Sequence, residues 1–141
     1  MQTMSTAEAL AFLAEGARTG KLATASRTGD PHVAPVWFVV DGDSVVFTTF
    51  HTTVKARHLA TNPRVALTCD DERFPFGFVV VRGRVDVDRA APDLFTWACR
   101  LAARYVPADR ADEYGRRNAV DGEWLCRLHA ERVVGQSALA D

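Results

Sequence analysis

The residues with the clearest chemical content lie in Thr48-Thr49-Phe50-His51-Thr52-Thr53-Val54-Lys55-Ala56-Arg57. A strand there delivers a threonine-rich turn into the start of a helix, whose first N–H groups lack partners within the helix. Either Thr52 or Thr53 is placed to be the N-cap. Lys55 then falls in the first turn, where a cation is unfavourable with the helix dipole. A bound anion removes that conflict, because a helix N-terminus with hydroxyls and a cation suits phosphate. An exposed lysine with no ligand is the plainer alternative. The second informative stretch is Pro31-His32-Val33-Ala34-Pro35-Val36-Trp37-Phe38. Pro35 sits inside an otherwise convincing strand and has no N–H to give to a ladder, which implies an edge or a bulge. Backbone groups beside it are then free to meet a flat polar heterocycle, with the apolar side chains over its face. An edge strand on an ordinary core is again the plainer alternative.

The elements that position these stretches follow from periodicity. Ser5-Thr6-Ala7-Glu8 reads as a capping box, and Leu10, Leu13, Ala14 and Ala17 continue at helical spacing until Gly16 or Gly20. Lys21–Arg27 predicts a strand, Thr28-Gly29-Asp30 a turn, Pro31–Val40 a second strand and Ser44–Thr49 a third, joined through Asp41-Gly42-Asp43. A helix over about Thr53–Thr61 closes at Asn62-Pro63, since proline disfavours helix in the residue before it. Arg64–Asp70 is a fourth strand, with Val65, Leu67 and Cys69 on one face. In the fifth, Val79, Val81, Val85 and Val87 alternate with Arg82, Arg84, Asp86 and Asp88, and Gly83 marks a bulge. Helices over Asp93–Tyr105 and about Ala108–Asn118 lead to a last strand, Glu123–Val134, with a loose tail after Gly135. The pattern predicts one α+β domain over residues 1–141, centred on a six-stranded, mostly antiparallel barrel with flanking helices. Strands and helices do not alternate regularly, which argues against a doubly wound nucleotide-binding fold.

Composition excludes more than it names. The 141 residues are 48% hydrophobic and 25% charged, an ordinary globular balance. Seventeen Lys and Arg against 18 Asp and Glu leave a net charge of −1, so no whole-chain basic field draws nucleic acid or anionic membrane. No stretch approaches the roughly 18 consecutive apolar residues of a membrane span. Met1–Glu8 lacks the shape of a signal peptide. Cys69, Cys99 and Cys126 form neither an even disulfide framework nor a C-x-x-C pair, and a cytoplasmic location with small buried thiols is expected. His32, His51, His58 and His129 lack zinc spacing, so no metal site is expected. Phosphate-loop, dinucleotide and nucleophile-elbow motifs are absent. Asp70-Asp71-Glu72 reads as a solvated strand end. Any redox or group-transfer chemistry therefore points to a borrowed organic cofactor.

Taken in order, Gly29-Asp30-Pro31-His32-Val33-Ala34-Pro35-Val36-Trp37, Val46-Phe47-Thr48-Thr49 and Thr53-Val54-Lys55-Ala56-Arg57-His58-Leu59 carry a resemblance. Asn62-Pro63-Arg64-Val65-Ala66-Leu67, Phe78-Val79-Val80-Val81-Arg82-Gly83 and Arg132-Val133-Val134-Gly135 extend it. Over about residues 5 to 135 the chain resembles the pyridoxamine 5′-phosphate oxidase-like flavin-binding split β-barrel superfamily. Within that superfamily it is most similar to actinobacterial oxidoreductases that use the deazaflavin coenzyme F420. The resemblance implies a homodimer with two cofactor sites at the subunit interface. It implies that the backbone of Val33, Ala34, Pro35, Val36 and Trp37 lies along the isoalloxazine-type ring. It also implies that Thr48, Thr49 and Thr53 bond the ribityl and phosphate region, that Lys55 grips phosphate, and that Arg57 is a weaker second cation.

A departure bears on the cofactor. In FMN-using members of the superfamily an arginine directly precedes the matching lysine and another sits on the second strand; here those places hold Val54 and Ala34. FMN ends in a phosphate monoester near two negative charges, which suffers from the loss of guanidiniums. F420 carries a singly charged phosphodiester and a polyglutamate tail, for which Lys55, threonine hydroxyls and surface Arg57, Arg64 and Arg73 suffice. The expectation is an F420-dependent oxidoreductase acting on a small organic acceptor, with Trp37 and the partner's Phe74–Phe78 segment as pocket walls. The alternatives are an FMN flavoprotein and a non-catalytic protein that binds or stores the cofactor.

Overall fold

In the computed structural model, which describes residues 1–141, a two-residue strand, β1 (Gln2–Thr3), precedes helix α1 (Thr6–Ala14). The helix starts where the capping box demands. Ser5 Oγ accepts from the Glu8 N–H at 3.1 Å, and Glu8 Oε2 accepts from the Ser5 N–H at 2.7 Å. Its buried face, Ala9 and Leu13, packs on the core. The chain continues through β2 (Gly20–Ala25), β3 (Pro31–Val36), β4 (Val39–Asp41) and β5 (Ser44–Phe50) to the short helix α2 (Val54–Leu59). The long strands β6 (Arg64–Asp71) and β7 (Gly77–Asp88) follow. Then come α3 (Leu94–Tyr105), a 3-10 turn (Ala108–Arg110), α4 (Ala111–Asn118) and β8 (Glu123–Ser137).

All strand pairs are antiparallel, and the sheet runs β3-β2-β6-β7-β8-β5-β4, with β1 added on β8. It is an α+β fold with an antiparallel sheet and flanking helices, as a split barrel requires. The strand number differs from expectation: eight, where periodicity suggested six. One extra strand comes from Pro31–Val40, which is broken at Trp37-Phe38 rather than continuous. The cause is α3. Tyr105 Oη accepts from the Phe38 N–H at 3.1 Å, and Arg104 Nη1 donates to the Phe38 carbonyl at 2.7 Å. Side chains thus satisfy backbone groups that a ladder would otherwise take, and the strand turns there. β3 and β4 become the two edges of the sheet, so Pro35 stands on an edge strand, where its missing donor is harmless.

The other extra strand is β1, and it also corrects the expectation of a loose tail. Gln136 and Ser137 pair with Thr3 and Gln2 on one side and with Phe78 and Gly77 on the other. Backbone bonded on both sides does not fray like a free terminus.

The core lies inside the curved sheet, where Phe38, Phe47, Leu22, Leu67, Leu128, Val79 and Val81 are fully buried. Cys69 and Cys126 are free thiols in that core, and burial pushes Cys126 up to about 12. At the expected bulge, the β7–β8 register shifts between Arg82 and Gly83. Arg82 faces Arg132 and Gly83 faces Ala130, so Glu131 has no opposite number. Tyr105 is a testable anchor of the strand break, since the Arg18 carbonyl lies 2.9 Å from its hydroxyl as well. Tyr105→Phe leaves the Phe38 N–H without that acceptor and is expected to cost about 1–3 kcal/mol in urea unfolding. An unchanged unfolding midpoint would show that water serves these groups instead.

Candidate functional site

One cavity of about 210 Å³ gathers residues from six elements and the joint after β3. The end of β3 and the break after it supply Pro35, Val36 and Trp37; β5 supplies Thr48, and α2 supplies Lys55. Ala98 and Leu101 of α3 form an apolar side, and Asn118 at the end of α4 and Glu123 at the start of β8 complete the lining.

Strand alternation explains part of this gathering. Successive side chains on a strand point to opposite faces, and in the β5–β8 pair Thr49 lies opposite Trp124 and Phe50 opposite Glu123. Thr49 and Trp124 are buried toward the core, while Thr48 and Glu123 share the other, half-buried face. Thr48 is therefore available to a ligand and Thr49 is not. The Thr49 hydroxyl lies 2.7 Å from Thr53 Oγ1. Thr53 Oγ1 in turn accepts from the Ala56 N–H at 3.2 Å and has the Phe50 carbonyl at 3.0 Å for its own proton. Thr53, not Thr52, is thus the N-cap, and both hydroxyls are spent on the turn. Since α2 has only six residues, the anion-holding capacity of this corner rests on Lys55 itself more than on a helix dipole.

Lys55 is half-buried and makes no hydrogen bond or ion pair within the chain. The remaining sequence candidates lie around the cavity, not in its lining. Val33 is 64% exposed on β3, Ala34 is half-buried and pairs opposite Leu22, and Arg57 is exposed on α2. His32 is half-buried, with its ring edge-on to His58 at 6.1 Å, and His58 Nδ1 is 3.0 Å from the Thr24 hydroxyl. Arg73 is engaged elsewhere, donating to both oxygens of Asp71 at 3.0 and 2.8 Å. Those bonds hold the Asp71 carboxyl well below the usual carboxylate range.

Trp37 is fixed rather than loose. Its ring stacks on Tyr105 at 5.1 Å with an interplanar angle of 7°, and Tyr114 of α4 leans against it at 6.3 Å. Glu123 is the ionisable group of the lining that sequence reasoning passed over. Its carboxyl is pushed above the usual range by burial, with the nearby Thr48 hydroxyl and the Lys55 charge acting the other way. The alternation of Trp124, Cys126 and Leu128 does put Glu123 on the opposite face. Only the β5–β8 pairing brings that face to Thr48 and Lys55. No group of three or more His, Cys, Asp or Glu side chains converges as metal ligands would, and no helix is long and apolar enough to cross a membrane.

The family model described as pyridoxamine 5′-phosphate oxidase matches residues 5–132. Among solved structures, the chain is similar to a conserved hypothetical protein from Mycobacterium tuberculosis at 22% identity and a TM-score of 0.79, covering 96% of this chain and 86% of that one. A structure described as an F420 reductase is 28% identical with a TM-score of 0.65, covering 86% of this chain and 93% of that one. A FAD binding protein from Mycobacterium smegmatis is 24% identical with a TM-score of 0.68, covering 96% and 97%. No curated protein matches the sequence.

Proposed function

This chain belongs to the pyridoxamine 5′-phosphate oxidase family, and from that premise we propose that it is an F420-dependent oxidoreductase acting on a small organic acceptor. The observation that carries the reading is Lys55, an ammonium in the lining of the cavity with no partner in its own chain. An unpaired cation beside the Thr48 hydroxyl is suited to one phosphate charge. The lining contains no guanidinium, which favours a singly charged phosphodiester over the dianionic monoester of FMN. The 28% identity to a structure described as an F420 reductase points the same way.

The reduced deazaflavin supplies a hydride when bound. The chain's own residues do the positioning. Lys55 holds the phosphate end. The open edge of β3 would offer backbone groups to the heterocycle, and Pro35, Val36 and the stacked Trp37 would line its pocket. Ala98 and Leu101 would keep its apolar side dry.

The reading includes a homodimer. A cavity of about 210 Å³ is smaller than the roughly 300–1,000 Å³ of pockets that enclose a ligand, and the reading assigns the missing walls to a second subunit. Val33, Phe50 and Val54, on the elements that line the cavity, are 64%, 37% and 36% exposed. They are apolar surface for a partner to cover. The partner's Phe74 and Phe76, 72% and 43% exposed, are candidates for the opposite wall.

Fluorescence titration of the purified protein with F420 and with FMN tests the cofactor. F420 is expected to bind the more tightly, and the reduced form to be oxidised only when an enone or quinone acceptor is present. FMN retained through purification, with no affinity for F420, would sink the reading. Tight F420 binding without turnover on a broad acceptor panel would leave a storage protein.

A further inference from the structure

Lys55 and Glu123 line the same small cavity, from α2 and from the first residue of β8. They do not pair, for no ion pair within 4.0 Å joins them. The cavity therefore has a basic and an acidic side chain in one lining, their charged atoms more than 4.0 Å apart. The other groups around Glu123 are the Thr48 hydroxyl of β5, the Asn118 amide of α4 and, from the opposite face three residues along its own strand, the Cys126 thiol, whose pKa the Glu123 charge helps to raise. His51, in the turn just after β5, has its ring against Gly122, and Arg89 and Asp121 line a separate depression that Glu123 also borders.

We propose that Glu123 is the residue that sets the charge preference of the cofactor cavity, admitting a monoanionic phosphodiester and disfavouring a dianionic phosphate monoester. The proposal rests on the reading of Lys55 as the phosphate-holding group. Its physics is Coulomb's law. Repulsion from a nearby carboxylate scales with ligand charge, so a dianion is penalised twice as much, in free energy, as a monoanion at the same place. Lys55 attracts both ligands, and Glu123 subtracts more from the more highly charged one. Asn118 and Thr48 are neutral and hydrogen-bond either. The same geometry couples binding to a proton. An anion seated beside Glu123 favours the neutral carboxyl, so affinity rises as pH falls and the carboxylate takes up a proton. Burial already disposes this carboxyl toward its neutral form.

The test compares F420, FMN and riboflavin, which lacks the phosphate, on the wild type, Glu123→Gln and Lys55→Ala. In Glu123→Gln the preference for F420 over FMN is expected to fall about tenfold, with riboflavin affinity unchanged. An unchanged preference, while Lys55→Ala weakens F420 and FMN alike, would overturn the role of Glu123 and leave the phosphate reading standing. Should Lys55→Ala change neither ligand, the phosphate reading fails and this proposal with it. Equal strengthening of riboflavin would also overturn it, because the effect would not be on phosphate charge. Folding of the variant is not expected to limit the test. A carboxyl whose folded pKa is raised costs stability above its unfolded pKa, so glutamine at pH 7 removes a cost. The wild type supplies an independent readout. Its F420 affinity should tighten between pH 8 and pH 5 by more than that of Glu123→Gln, the ligand's own titration being common to both. Parallel pH profiles would overturn the proposal.

Discussion

Lys55→Ala is expected to weaken F420 binding by about 10- to 100-fold, from a hydrogen bond to a charged group worth about 1.5–3 kcal/mol. The melting temperature should stay within about 2 °C of the wild type. The two halves of that expectation have the same cause. Lys55 has no acceptor within the chain, so its removal breaks no hydrogen bond or ion pair in the empty protein. The neighbouring turn does not depend on it either, because Thr53 Oγ1 and the Ala56 N–H close the cap without it. A large loss of binding with an unmoved melting curve separates a ligand-holding cation from a structural one. Unchanged affinity, read by fluorescence titration, would mean that the phosphate lies elsewhere. Arg57→Ala is the internal comparison. Arg57 is exposed and outside the cavity lining, so its effect should be several-fold at most.

Gly83→Ala is expected to be the more damaging change to the fold, at about 3 kcal/mol or more and a fall in Tm of about 10 °C. A Cβ at Gly83 would sit 1.8 Å from the His129 carbonyl oxygen and 3.0 Å from its carbon. Both are backbone atoms of β8, held in the ladder with β7 and β5, so no rotamer change relieves the overlap. The crowding falls where the register shifts, at the residue after Arg82 and opposite the bulge that holds Glu131. Gly42→Ala is the control. Gly42 lies in an open turn at φ +61 with nothing near its missing Cβ, and the substitution should cost only about 1 kcal/mol of left-handed strain. Equal losses in the two variants, measured by thermal or urea unfolding, would remove the crowding argument at Gly83.

Much of the fold was legible because the signals are local. The capping box at Ser5 and Glu8 needs only residues three apart. Alternation in Val79–Asp88 and in Trp124–His129 follows from the two-residue period of a strand, and Pro35 marked its own edge. Where reading failed, the deciding partner was distant in the chain. Nothing in Pro31–Val40 announces a break at Phe38, since its backbone is claimed by Tyr105 and Arg104 from α3. Nothing near Gly135 announces that Gln136 and Ser137 will be paired by Thr3 and Gln2.

The site divides along the same line. By itself the sequence lacked the motifs of a self-contained active site, and it singled out a threonine-rich stretch carrying Lys55 and a proline-bearing strand. It could not rank Thr48 against Thr49 and Thr53, although all three are threonines within six residues of one another. The tertiary structure decided that point. The β5–β8 pairing buries Thr49, the cap consumes Thr53, and only Thr48 turns toward Lys55. The same pairing brings in Glu123 from the far end of the chain. A side chain's availability depends on which face the sheet buries and which donors its neighbours have already claimed, and those are properties of contacts between segments that no single segment encodes.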